Sequence, residues 1–214
     1  MVQLSRRQKM WLIAGAACCA LFIVFTLVVA FVDVDQVGLS HLNQFFWQHC
    51  GKNVVWERIT DWLGYLTILA VLSLIALQIV QFVRRKSLAR VDRNLLVMDV
   101  VLAVMVGVYV LFEFVVVNCR PELVNGVAKA SYPSSHAMLF TTVLPLLIWQ
   151  VWFYLKRRPW QIVLTVLMSV LLVLGIVGRL LSGVHWFTDI LAGIIIGCGL
   201  ACLYVGLTMC EYRQ

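Results

Sequence analysis

Long apolar runs separated by short polar segments dominate the pattern of hydrophobic and polar positions along this chain. A helix needs about 20 apolar residues to cross the hydrocarbon core of a bilayer. The runs that reach or approach this length are Met10–Val32, Trp62–Val83, Leu95–Val117, Ala137–Leu155, Trp160–Val177 and Trp186–Met209. The pattern therefore predicts an all-α, polytopic membrane protein with six transmembrane helices.

Composition agrees with this interpretation. Of 214 residues, 63% are hydrophobic and 13% charged, whereas soluble domains carry about 25% charged residues. The length accommodates one membrane domain, so we take residues 1–214 as a single integral-membrane domain. The first run follows basic residues, as a signal peptide would, but it is longer than about 20 apolar residues and lacks a small-residue cleavage site, which predicts a retained helix.

The formal net charge of +7 is unevenly distributed. Twelve of the 17 Lys and Arg residues lie before the first run, between runs two and three, between runs four and five, or in the tail: Arg6, Arg7, Lys9, Arg84, Arg85, Lys86, Arg90, Arg93, Lys156, Arg157, Arg158 and Arg213. Because cytoplasmic loops are enriched in Lys and Arg, we predict that both termini are cytoplasmic, in the inner (plasma) membrane. These charges set topology, so no nucleic-acid partner is implied.

The segments Asp33–Asp61, Cys119–His136 and Arg179–Asp189 then fall on the extracytoplasmic side. The first mixes apolar and polar residues at helical spacing, which predicts one or two short helices in the membrane interface. His41 and His49 within it have no neighbouring motif and are interpreted as interfacial side chains rather than ligands.

Four further residues, two carboxylates and two cysteines, have open interpretations. Asp99 lies in the third run, close to the basic loop, and is interpreted as paired with a neighbouring helix or simply close to the end of the span. Cys50 and Cys119 are both extracytoplasmic, so they either form a disulfide or remain free. Glu113 is a candidate functional carboxylate in the same run as Asp99. The chain has no CxxC motif or Cys/His cluster, so we predict neither a metal nor another cofactor.

Three polar clusters lie on the predicted extracytoplasmic side: "NCRPEL" with Arg120, "SYPSSHAM" with Ser134, Ser135 and His136, and "GRLLSGVHWFTD" with Arg179, His185 and Asp189. Each alone has an ordinary structural explanation. The arginines can snorkel from helix ends, a serine can cap a helix, and residues four apart can pair on a helix face.

Taken together, the clusters predict a phosphate site. Arginine guanidiniums bind phosphate oxygens in a bidentate manner, and backbone N–H groups at a helix start attract anions. An imidazole can attack phosphorus or protonate a leaving oxygen near neutral pH. Since Asp189 can accept a hydrogen bond from one ring nitrogen of His185, we predict His185 as the nucleophile and His136 as the acid.

These motifs resemble the type-2 phosphatidic acid phosphatases, the integral-membrane branch of a superfamily that includes bacterial acid phosphatases and vanadium haloperoxidases. The correspondence rests on Arg120-Pro121, on "PSSH" ending at His136, and on the Arg179, His185 and Asp189 spacing. The six-helix plan and the outward-facing motifs extend it over nearly the whole chain.

The resemblance implies a metal-independent membrane lipid phosphatase with a phosphohistidine intermediate on His185. His136 would protonate the departing group and later activate water. The residues that would hold the phosphoryl oxygens are Arg120, Arg179, Ser134 and Ser135. The implied substrates are phosphate or diphosphate monoesters of lipids, such as undecaprenyl diphosphate, phosphatidylglycerophosphate or phosphatidic acid. The oligomeric state is left open.

Three positions depart from the family pattern. Glu113 stands where the family has Lys, Ser135 where it has Gly, and Gly178 where it has Ser. Glu113 is protonated, turned away or paired with Arg120, and Lys129 is a candidate replacement cation. Two alternatives to hydrolysis are left open. The same phosphohistidine would serve phosphotransfer from a lipid diphosphate to another lipid such as lipid A, and the residues Glu113 and Gly178 suggest a catalytically impaired lipid-binding relative. A transporter is disfavoured because the polar residues lie at one face rather than at the midplane.

Overall fold

The computed structural model describes residues 4–35, 37–123 and 126–209, and this part of the chain is helical. Its seven α-helices are α1 (Arg6–Phe31), α2 (Ser40–Cys50), α3 (Val54–Arg85), α4 (Arg93–Phe114), α5 (Ser135–Tyr154), α6 (Arg158–Ser182) and α7 (Phe187–Thr208). All but α2 are long and apolar enough to cross a membrane, which confirms the predicted all-α, multi-pass plan. Cys210 and Arg213 lie outside the described residues.

The helix boundaries differ from the predicted runs in two places that affect the site. Helix α3 begins at Val54 rather than at Trp62, because the Asn53 side chain caps it by accepting the backbone N–H groups of Val55 and Trp56. The predicted interfacial stretch therefore forms a single short helix, α2, and the remainder extends α3.

The third span ends earlier than predicted. Helix α4 stops at Phe114, so Arg120 and Pro121 lie in the following loop and not at the helix end. Cys50 and Cys119 are both free thiols, so the predicted option of a disulfide is not realised.

Helices α5 and α7 form the centre of the bundle. The most apolar windows of these helices are 56% and 61% buried, against 28% or less for the other spans. Glycines allow the close approach: a Cβ at Gly193 would lie 2.7 Å from the Ser134 carbonyl oxygen, and one at Gly197 would lie 1.9 Å from Thr141 Oγ1. This contact fixes the start of α5 against the start of α7.

At the other end of the bundle, Asp92 joins three elements. It accepts hydrogen bonds from Gln81 Nε2, Arg85 Nη1 and the Tyr154 hydroxyl at 2.7, 2.8 and 2.8 Å. Asp99 accepts a hydrogen bond from Gln78 Nε2 of α3 at 2.6 Å, which confirms the predicted pairing with a neighbouring helix. These contacts fix α3, α4 and α5 relative to one another, away from the polar clusters.

Candidate active site

Backbone hydrogen bonds bring the three clusters together. The Arg120 N–H donates to the Lys129 carbonyl at 2.9 Å, and the Ser131 N–H donates to the Asn118 carbonyl at 2.9 Å. The N–H of Ser134, the residue before α5, donates to the carbonyl of Asp189 in the first turn of α7, also at 2.9 Å. All three predicted motifs therefore converge at one end of the bundle.

His185 lies in the short connection between α6 and α7, and its side chain is 3% exposed. Its Nδ1 lies 3.0 Å from the Ser131 carbonyl oxygen and 3.1 Å from the Ser131 hydroxyl. Its Nε2 is buried and has no hydrogen-bond partner. Burial lowers the pKa of the His185 imidazole below its ordinary value, against the opposing effect of nearby Asp189. The ring is therefore held through Nδ1, and burial keeps the imidazole neutral, with Nε2 free of hydrogen bonds.

Asp189 is fully buried and accepts three hydrogen bonds. They come from the Ser131 hydroxyl at 2.5 Å, Asn118 Nδ2 at 2.9 Å and the Trp186 backbone N–H at 3.0 Å. Its Oδ2 lies 3.8 Å from His185 Nδ1, too far for the direct hydrogen bond that the sequence suggested. Ser131 fills the interval and contacts both residues.

Ser131 and Asn118 were not predicted as site residues. Ser131 lies in "SYPSSHAM" and Asn118 in "NCRPEL", but neither is among the residues whose spacing predicted the site. The available signal was their chemistry: both are small polar residues beside predicted catalytic groups.

Arg179 lies in the last turn of α6, and its side chain is 3% exposed. Its Nη1 donates to Thr60 Oγ1 and to Asp61 Oδ1 of α3, both at 3.1 Å. Asp61 Oδ1 also lies 3.3 Å from His136 Nε2. The earlier start of α3 places Thr60 and Asp61 in this position, and neither residue was predicted to belong to the site.

Arg120 lies at the rim of the same site. Its Nε, like that of Arg179, is buried and has no hydrogen-bond partner. Arg120 lines a cavity of about 70 Å³ together with Gly183, Glu57, Lys52 and Glu122, of which the last two form an ion pair. Both predicted phosphate-binding arginines therefore have an unpaired nitrogen in the region of the histidines.

Ser134 and Ser135 are at the start of α5. Ser134 is fully buried and is the N-cap of the helix, accepting the Ala137 N–H at 3.4 Å. Ser135 is the first helical residue and is partly buried. The structure thus gives Ser134 the capping contact, and His136 follows Ser135 in the first turn of α5.

The family departures have clear positions in the fold. Glu113 is exposed near the end of α4 and interacts with Tyr109 one turn earlier. Lys129 is exposed in the loop before α5. Gly178 packs against α3, where a Cβ would lie 2.6 Å from Thr60 Cγ2.

An apolar groove runs along α5 between α3 and α6. It consists of two cavities of about 110 and 370 Å³ that share Ala70, Leu147 and Met168. The smaller one reaches Phe140, whose ring lies 6.1 Å from the His136 ring. In the described part of the chain, no group of three or more His, Cys, Asp or Glu side chains is arranged to hold a metal ion.

Comparison with known proteins agrees with this geometry. The structure is similar to the crystal structure of a transmembrane PAP2-type phosphatidylglycerolphosphate phosphatase from Bacillus subtilis, with a TM-score of 0.67 and 16% sequence identity, over 94% of this chain and 97% of that one. No curated protein matches the sequence significantly. The sequence model of the PAP2 superfamily matches residues 45–210, a range that holds all three clusters and the helices that bring them together. The chain is therefore a multi-pass membrane member of the PAP2 superfamily.

Proposed function

We propose that this protein is a membrane lipid phosphatase that hydrolyses a phosphate or diphosphate monoester of a lipid at the extracytoplasmic face. The observation that carries the proposal is the buried Nε2 of His185, which has no hydrogen-bond partner. The positive charges of Arg120 and Arg179 also act on this imidazole. A neutral imidazole nitrogen among guanidinium groups is the arrangement required to attack phosphorus in an anionic substrate.

The chemistry proceeds in two steps. Nε2 of His185 attacks phosphorus, and the P–O bond to the lipid breaks as His136 donates its proton to the departing oxygen. His136 then takes a proton from water, which attacks phosphohistidine and releases phosphate. Arg120, Arg179 and the backbone N–H groups at Ser134 and Ser135 stabilise the charge on the phosphoryl oxygens.

The apolar groove supports a lipid substrate. It begins beside Phe140, one turn after His136, and continues past Ala70 toward the opposite end of α5. A hydrocarbon chain attached to a phosphate at His185 can enter this groove without leaving an apolar environment.

Phosphate release by the purified protein in detergent tests the proposal. The substrates are phosphatidic acid, phosphatidylglycerophosphate and an isoprenoid diphosphate, each with EDTA present. We expect release from at least one of them, and a loss of about 10³-fold or more in His185→Ala. His49→Ala, which alters an exposed histidine of α2, is the matched control and retains activity. Retained activity in His185→Ala, or loss of wild-type activity with EDTA, contradicts the proposal.

A further inference from the structure

Asp61 lies between two of the predicted site residues, although it belongs to none of the three motifs. One oxygen, Oδ1, is 3.3 Å from His136 Nε2 and 3.1 Å from Arg179 Nη1. The Asp61 side chain is 38% exposed and that of His136 is 27% exposed, so this contact faces the open side of the site. The α3 helix thus contributes a carboxylate to a site otherwise built from α5, α6, α7 and the loop before α5.

The charges around His136 explain why a carboxylate matters here. The guanidiniums of Arg179 in α6 and Arg120 in the loop before α5 belong to the same site, and positive charges near an imidazole disfavour its protonated form. A general acid must carry its proton when the substrate arrives. In the described part of the chain, Asp61 is the acid whose carboxylate oxygen lies within ion-pair distance of His136, at 3.3 Å from Nε2.

We propose that Asp61 is a positioning residue for the general acid. Its carboxylate accepts the Nε2–H of His136, which orients the ring and leaves Nδ1–H to face the ester oxygen. The two histidines are then held by opposite nitrogens: His185 by Nδ1 through Ser131, and His136 by Nε2 through Asp61. This inference rests on the proposed phosphatase function.

The role concerns one proton transfer. As the P–Nε2 bond to His185 forms and the P–O bond breaks, the proton on His136 Nδ1 moves to the ester oxygen, and the lipid leaves as a neutral alcohol. Before this step, the negative charge of Asp61 stabilises the protonated form of His136. Asp61 itself neither gains nor loses a proton.

Asp61 also contacts Arg179, so the test must separate support of the acid from support of phosphate binding. The two roles differ in their dependence on the leaving group. An alkyl alcohol needs protonation to depart, whereas p-nitrophenolate is stable as an anion. Asp61→Asn is therefore measured on a short-chain alkyl phosphate and on p-nitrophenyl phosphate. Thr60→Val is the matched control. Thr60 and Asp61 both accept a hydrogen bond from Arg179 at 3.1 Å, but Thr60 is not paired with His136.

We expect Asp61→Asn to lower kcat/KM about 100-fold on the alkyl phosphate and about threefold or less on p-nitrophenyl phosphate. Thr60→Val lowers both by the same factor. Equal losses on the two substrates in Asp61→Asn overturn the inference. Asp61→Ser is a second variant if the first fails size-exclusion chromatography. A wild type inactive on both esters and on the lipid panel would instead refute the proposed function.

Discussion

His185 is held by Ser131: its Nδ1 lies 3.0 Å from the carbonyl oxygen and 3.1 Å from the hydroxyl of that residue. The same hydroxyl donates to Asp189 at 2.5 Å. Asp189 therefore acts on the ring through Ser131 as well as by its own charge, across 3.8 Å. The carbonyl fixes the tautomer with hydrogen on Nδ1, which leaves the Nε2 lone pair free for attack.

Ser131→Ala separates these contributions. The carbonyl remains to orient the ring, but Asp189 loses one of its three hydrogen-bond donors. A hydrogen bond to a charged group contributes about 1.5–3 kcal/mol, so we expect kcat to fall about 10–100-fold with little change in KM. Steady-state kinetics on p-nitrophenyl phosphate measure this. Ser131→Thr, which keeps the hydroxyl, is the control, and unchanged kcat in Ser131→Ala would show that the hydroxyl has no part in catalysis.

The lowered pKa of His185 predicts how stability depends on pH. Burial keeps the folded-state pKa below the unfolded value of about 6.5, so below about pH 6.5 the unfolded chain binds more protons at this position. The folded state therefore loses stability through His185 as the pH falls below about 6.5, by at most about 1.4 kcal/mol per pH unit, and gains nothing above it.

His185→Gln removes that contribution. Thermal unfolding in detergent, followed from about pH 8 to about pH 5, should show a smaller fall in Tm for His185→Gln than for the wild type. His136 is present in both proteins, so its titration cancels in the comparison. Parallel curves would mean that His185 titrates with the same pKa in the folded and unfolded states.

The sequence predicted the membrane spans because the bilayer imposes a length on every apolar helix. Boundaries failed where polar residues belong to a helix outside the hydrocarbon core. Glu57 and Arg58 placed this stretch in the predicted interfacial segment, yet behind the Asn53 cap it forms the first two turns of α3. The third apolar run predicted a helix that extends to Val117, whereas α4 ends at Phe114.

The candidate site likewise contains residues that the sequence predicted and residues that it did not. His136, His185 and the two arginines stand at recognisable spacings along the chain and converge as predicted. Thr60 and Asp61 belong to no such pattern, since only the packing of α3 against α6 brings them to Arg179. A sequence shows residues that are near one another along the chain or fall in a known pattern, whereas a partner supplied by a distant helix becomes visible only in the folded structure.

Ala70 provides a test of the groove because it lines both cavities. Ala70→Trp fills the passage between them, so long hydrocarbon chains are excluded while short ones still reach the site. We expect kcat/KM to fall about tenfold or more for a long-chain lipid phosphate and to stay unchanged for a short-chain analogue, a difference of at least about 1.4 kcal/mol.

Ala103→Trp is the matched control, since Ala103 is exposed in the middle of α4 and lines neither cavity. Equal losses on long and short substrates in Ala70→Trp would indicate a general packing defect. No loss on the long substrate would show that its chain lies elsewhere.

The packing around Gly178 predicts that Gly178→Ser, which introduces the family residue, lowers the stability and activity of this protein. A Cβ at position 178 would lie 2.6 Å from Thr60 Cγ2 and 3.0 Å from Trp56 Cε3, so Gly178→Ser forces α6 away from α3. Overpacking of this kind costs about 1–3 kcal/mol. It also moves Thr60, which holds Arg179. We therefore expect a lower Tm and a lower kcat/KM, rather than the gain that an added phosphate-binding hydroxyl would give.

The double variant Gly178→Ser with Thr60→Ser identifies the cause. Thr60→Ser removes the Cγ2 atom that a side chain at position 178 would meet first, and it keeps the hydroxyl that accepts from Arg179. If the clash is responsible, the double variant recovers most of the lost Tm and activity, and the two substitutions are strongly non-additive. Additive losses would place the defect outside this contact, and a single variant more active than the wild type would show that the missing hydroxyl limits the enzyme.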